Sequence, residues 1–192
     1  MARAAAVLLL GLLLASPALA QRGAPTPLPL PPPPAPPFEP AASAASAEAV
    51  PSWAMACVEA TAEVPRSCRV STTVLLRPQN TPLAQILLTR QRESRSLALI
   101  FQLPHGTWLQ GGIAWQTDEA PPQRLAFQSS DAAGIYAATV VTDEVLATLR
   151  AATTLRLSFV AAAQRQTLAV PIPLEGFGEA VAAMLTAEAA AP

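Results

Sequence analysis

Apolar and polar positions alternate with a period of two through most of the chain. In CRVSTTVLL, Val70, Thr72 and Val74 fall on one side, and in SLALIFQL, Leu97, Leu99, Phe101 and Leu103 do. The alternation recurs with Ile113 and Trp115, Leu125 and Phe127, Ile135 with Ala137 and Thr139, Leu155 with Leu157 and Phe159, and Leu168 with Val170 and Ile172. A strand turns every second side chain to the same face, so this pattern predicts seven or eight short half-buried strands. Turn residues separate them at Pro78 to Pro82, Arg92 to Ser94, His105-Gly106, Gly111-Gly112, Ala120 to Pro122 and Asp131 to Gly134. Spacing of this kind predicts sequential antiparallel hairpins in a sandwich or barrel.

Two segments follow a helical period instead. In TDEVLATLR, Thr142 is placed to cap the helix, Asp143 and Glu144 lie by the positive end of its dipole, and Arg150 lies by the other. Apolar Val145, Leu146 and Leu149 share a side, which predicts a short crossover helix. In EGFGEAVAAML, Phe177, Val181, Met184 and Leu185 form a second stripe, so a terminal helix lies across an open end or edge of the sheet. The fold class expected is therefore mainly β, with one crossover helix and a C-terminal helix.

The first fifty residues have no such period. MARAAAVLLLGLLLASPALAQ has an early arginine, Arg3, an apolar run centred on Val7 to Leu14, and Ala18-Leu19-Ala20 before Gln21, the three parts of a secretory signal peptide. The competing reading, a retained membrane anchor, meets Gly11, Ser16 and Pro17 in a run already short for spanning a bilayer. With residues 1–20 removed, no later apolar run is long enough to cross a membrane, and a periplasmic or secreted location is expected. Pro25 to Pro40 reads as an extended spacer, because proline fixes φ and lacks an amide donor. Docking of that segment in an aromatic groove is the alternative. Residues 21–50 are thus expected to form a disordered Pro/Ala-rich spacer, residues 51–187 the domain and residues 188–192 a tail.

Charge narrows the partners. Twelve Lys+Arg against thirteen Asp+Glu leave a formal net charge of −1, which gives nucleic-acid binding no electrostatic support. Arg90, Arg92 and Arg95 in TRQRESRS form either a solvated hairpin tip or a contact for phosphate or acidic glycan. The two cysteines, Cys57 and Cys68, lack the additional ligands a metal site needs, and in an exported chain they predict a disulfide between the first strand and the second. Closing so short a loop contributes about 3 kcal/mol in the chain-entropy model.

Catalytic chemistry is not legible. Ser130 and Asp131, in FQSSDAAGIYAA, would need a base, and the single histidine, His105, lies far upstream in a glycine turn of its own. Neither G-x-S-x-G nor S-x-x-K occurs, and the chain has no lysine. Ser130-Asp131 is read as a turn and His105 as an exposed turn residue; no catalytic, cofactor-binding or metal-binding residue is assigned.

Trp53 and Cys57 in WAMAC, Cys68 in SCRV, LPHGTWLQGGIAW, TDEVLATLR, TLRLSFV and the ending VPIPLEGFGEAVAAML together resemble the invasion-associated locus B family of alphaproteobacterial exported proteins. The resemblance covers nearly all of residues 51–187, and PLEGFGEAVAAML, from Pro173 to Leu185, is its most distinctive part. It implies an immunoglobulin-like antiparallel β-sandwich, no established enzymatic activity and no cofactor. It also implies that a second cysteine pair, in a pattern like C-x-x-x-G-C, usually stands where this chain has Ser130 and Ile135 around Gly134. A non-catalytic module binding an unknown protein or a component of the envelope or host surface is then expected. A periplasmic hydrolase with a site assembled from scattered residues is the alternative.

Overall fold

The computed structural model describes residues 47–49, 53–59, 66–118 and 120–190. The predicted signal peptide and Pro25 to Pro40 lie outside them. The described residues form, in chain order, β1 (Ala47–Ala49), β2 (Ala54–Val58), β3 (Ser67–Leu76), β4 (Thr81–Arg90), β5 (Leu97–Leu103), β6 (Ile113–Thr117), β7 (Gln123–Leu125), β8 (Ser129–Asp131), β9 (Gly134–Val141), α1 (Asp143–Ala151), β10 (Thr154–Ala161), β11 (Gln166–Pro173) and α2 (Phe177–Ala189). These strands build two antiparallel sheets. The larger runs β1-β3-β4-β5-β9-β8, with β2 also on β3, and the smaller runs β11-β10-β6-β7. A single core lies between them, and Phe101 of one sheet meets Trp115 of the other with ring centroids 6.0 Å apart. This is the two-sheet sandwich expected.

The strand count differs from the seven or eight predicted. β1, β7 and β8 have three residues each, too few for alternation to show. β4 is concealed for another reason: Ala84, Ile86 and Leu88 point into the core while Leu83 and Leu87 are half-buried on the other face. Alternation needs one polar face, and Leu83 and Leu87 interrupt it here. β3, β4 and β5 are the sequential hairpins expected, but the chain then leaves the sheet. It forms β6 and β7 in the small sheet and passes through Ala126–Gln128 to β8 and β9 in the large one.

Both helices follow from their sequence signals. Thr142 accepts a hydrogen bond from Val145 N, and α1, with Leu146 and Leu149 buried, carries the chain from β9 to β10. α2 buries Phe177, Val181 and Met184, while Leu185 is half-buried. Trp53 meets Phe177 edge-on at 4.9 Å and donates from Nε1 to the Pro173 carbonyl at 2.9 Å. The start of the domain, the end of β11 and the start of α2 are therefore joined through one indole. Cys57 and Cys68 are direct cross-strand partners and are bonded to each other.

The register leaves the sandwich with two unlike ends. Leu97 is paired with Val141 at one and Leu103 with Ile135 at the other. At the first, Arg90 binds Glu188 of α2 at 2.8 Å, and Arg66 donates to the Ala187 carbonyl, so the terminal helix lies over that end. At the second, among the described residues, loops and a short 3-10 turn meet.

Candidate functional site

Three connections gather at this loop end: the segment after β5, the β8–β9 turn and the β10–β11 turn. Their placement begins with the main chain. Trp108 N donates to Val160 O, Ala162 N donates to Gly106 O, and Thr107 forms an isolated bridge with Ala161. The segment turns at His105-Gly106, makes that one bridge at Thr107, and turns again in a short 3-10 helix at Leu109–Gly111. The Trp108 ring fills the space where a Gly111 side chain would stand, and the Arg165 guanidinium lies 4.7 Å from its centroid.

Asp131 organises the β8–β9 turn. Its Oδ1 accepts from Ala133 N at 2.8 Å, Gly134 N at 3.2 Å and the Tyr136 hydroxyl at 2.9 Å. The Tyr136 bond, then the Ala133 amide, with smaller help from Gly134 and the charge of His105, holds the carboxyl below its usual range against a modest opposing effect of burial. The same bond pushes the Tyr136 phenol above its ordinary value. Gly134 is required by close approach: with φ at 156°, a Cβ there would stand 2.4 Å from Leu103 O. His105, across 26 positions of sequence, places Nε2 3.0 Å from the Asp131 main-chain carbonyl.

The structure thus brings His105 and Asp131 together, which the sequence reading had kept apart. They meet through a main-chain oxygen. The Asp131 carboxylate is turned toward its own turn, and the exposed Ser130 hydroxyl bonds to neither His105 nor Asp131. Ser130 is the direct cross-strand partner of Ile135, so the two positions that the resemblance gives to a second cysteine pair are neighbours here.

The arginine group divides. Arg92 and Arg95 are exposed in the β4–β5 hairpin. Arg90 does not belong to a solvated tip: it is half-buried, bonds Glu188 of α2 and donates to the Arg95 carbonyl. Among the described residues, no three metal-ligating side chains come together.

A cleft of about 230 Å³ opens beside the loop end, on the outer face of the large sheet. Thr73, Gln85 and Gln102 stand in one cross-strand row at its floor, and the next position in that row is Tyr136. Pro82, Leu83 and Pro104 supply apolar walls. Gln102 donates to the Ala133 carbonyl at 3.0 Å, which fixes the cleft to the Asp131 turn. Sequence reasoning missed this row because outward positions of a strand read as solvent face. The register of four strands is what aligns them.

A sequence profile described as Invasion associated locus B (IalB) protein matches residues 53–185. The chain belongs to the IalB family. It is similar in fold to the crystal structure of invasion associated protein B from Bartonella henselae, with a TM-score of 0.63 and 19% identity over 76% of this chain and 99% of that one. No curated protein matches the chain. The matched IalB segment begins at Trp53 and includes its edge-on partner Phe177.

Proposed function

We infer that the chain is an exported, non-catalytic module that binds a protein, or an envelope or host-surface component, through the loop end of its sandwich. The observation that carries this reading is how the acid–base groups of that end are used. The Asp131 Oδ1 already accepts three hydrogen bonds, His105 is bonded to a main-chain carbonyl, and Ser130 has no base at its hydroxyl. A nucleophile needs a base within hydrogen-bond reach, and general acid–base work needs a group free to move its proton. Loops held by a rigid two-sheet frame are where binding residues concentrate. The half-exposed Trp108, the exposed Leu109 and the adjoining cleft supply contact surface there.

Export is supported by the leader of residues 1–20 and by the Cys57–Cys68 bond, which suits an oxidising compartment. No helix among the described residues is long and apolar enough to cross a membrane. The binding reading is tested in two arms. Purified protein is assayed on chromogenic ester, peptide and glycoside substrates beside Ser130→Ala and His105→Ala, with no turnover that either variant abolishes as the expected result. In intact cells, a photo-crosslinking residue at Leu109 is expected to capture a discrete partner, and one at Ala169 on β11 is not. Turnover lost on substituting Ser130 or His105 would restore the hydrolase reading.

A further inference from the structure

We propose that the cleft formed by Thr73, Gln85 and Gln102 is a subsite for one neutral sugar unit of a glycan, an assignment that rests on the binding role inferred for the loop end. The first ground is charge. Among the described residues, no ionisable side chain lines the cleft, and the Asp131 carboxylate of the adjoining turn has its Oδ1 committed to Tyr136 and two amides. An ionic ligand would find no counter-charge there.

The second ground is hydrogen-bonding capacity. Each primary amide offers two donors and an acceptor oxygen, and a threonine hydroxyl offers both roles. Gln102 commits one N–H to Ala133, whereas the half-buried side chains of Gln85 and Thr73 make no hydrogen bond within the described chain. Sugar hydroxyls are themselves donor and acceptor at once, so a neutral row of amides and a hydroxyl matches them. The walls of Pro82, Leu83 and Pro104 can receive the C–H face of a ring.

The third ground separates a sugar from a peptide. An extended peptide binds by adding to a free sheet edge, and a helical one needs a long apolar groove. The cleft instead lies over β3, β4 and β5, each flanked by strands on both sides. At about 230 Å³ it is also smaller than the roughly 300–1,000 Å³ of a site that engulfs a drug-sized ligand, which suits one unit of a longer chain.

The test is a chemical-shift titration of the ¹⁵N-labelled full mature chain with chitotriose, lactose and maltotriose, with 3′-sialyllactose and a neutral proline-rich peptide as contrasts. Chitotriose stands for N-acetylglucosamine chains of a bacterial wall and lactose for galactose-ended glycans of a host surface. At least one neutral saccharide is expected to shift the side-chain amide signals of Gln85 and Gln102 in the millimolar range. Gln85→Ala combined with Thr73→Val should weaken that binding about tenfold, the scale of one to two hydrogen bonds, with an unchanged thermal midpoint. The proposal is overturned if no neutral saccharide shifts these signals, if only the peptide or the sialylated sugar does, or if the double variant, folded, binds as the parent does. Any of these leaves the crosslinking at Leu109 untouched, so loss of the sugar subsite is distinguishable from loss of the binding role.

Discussion

Phe177 is 1% exposed, edge-on to Trp53, and is the first residue of α2. Truncating a buried phenylalanine costs about 3–5 kcal/mol, so Phe177→Ala is expected to fall in that range in a denaturant melt. Ser130→Ala, at an exposed position on the short strand β8, should change stability by less than about 0.5 kcal/mol. Gly134→Ala should cost more than that, about 1–3 kcal/mol, because a Cβ would meet Leu103 O and the backbone conformation disfavours a side chain. A Gly134→Ala protein as stable as the parent would show that the close approach relaxes without cost. The role of Asp131 in its turn was legible in the sequence, since aspartate bonds its own main chain a few residues on. Its neighbour His105 was not, because a contact across 26 positions leaves no local signature.

At the scale of elements, helices were the most legible part, because Thr142 with Asp143 and Glu144 marks a start and the Phe177, Val181, Met184 stripe marks a face. β4 and its Gln85 stayed hidden because Leu83 and Leu87 interrupt the polar face of that strand. The cleft was illegible because it depends on which residues of four strands stand opposite one another. Cross-strand pairing also gives a prediction. Cys57 is half-buried on β2, opposite buried Cys68, and exposed Ser130 on β8 faces buried Ile135 in the same way. Ser130→Cys with Ile135→Cys is therefore expected to form a second disulfide, read as two further hydrogens gained on reduction; two free thiols after oxidative refolding would show the pair misaligned.

Asp118 joins the end of β6 to the start of β10. Its carboxylate accepts from Thr153 N at 3.1 Å, Thr153 Oγ1 at 2.9 Å and Thr154 N at 2.9 Å. The Thr153 amide first, and then its hydroxyl, hold the group below its usual range. A depressed folded-state value means that the ionised form is the stabilising one. Its contribution is present above the ordinary carboxylate value of 3.8 and is lost as pH falls from there through the lower folded value. Thermal midpoints followed down through that window should decline less steeply for Asp118→Asn than for the parent. Equal slopes would remove Asp118 from the acid response.

The sandwich has a helix-covered end and a loop end, and its sheet edges are protected. Pro171 and Pro173 remove amide donors from the edge strand β11, and Gln128 reaches the Ala138 carbonyl on β9 at 2.9 Å. What such a frame offers is a fixed set of loops, and the Cys57–Cys68 bond suits an oxidising compartment. Export is tested by the intact mass of the non-reduced protein from fractionated cells. The expected species is a chain beginning at Gln21, recovered from the periplasmic or culture fraction and two hydrogens lighter than its reduced form. A full-length chain in the cytoplasm, with Cys57 and Cys68 both alkylated, would contradict it.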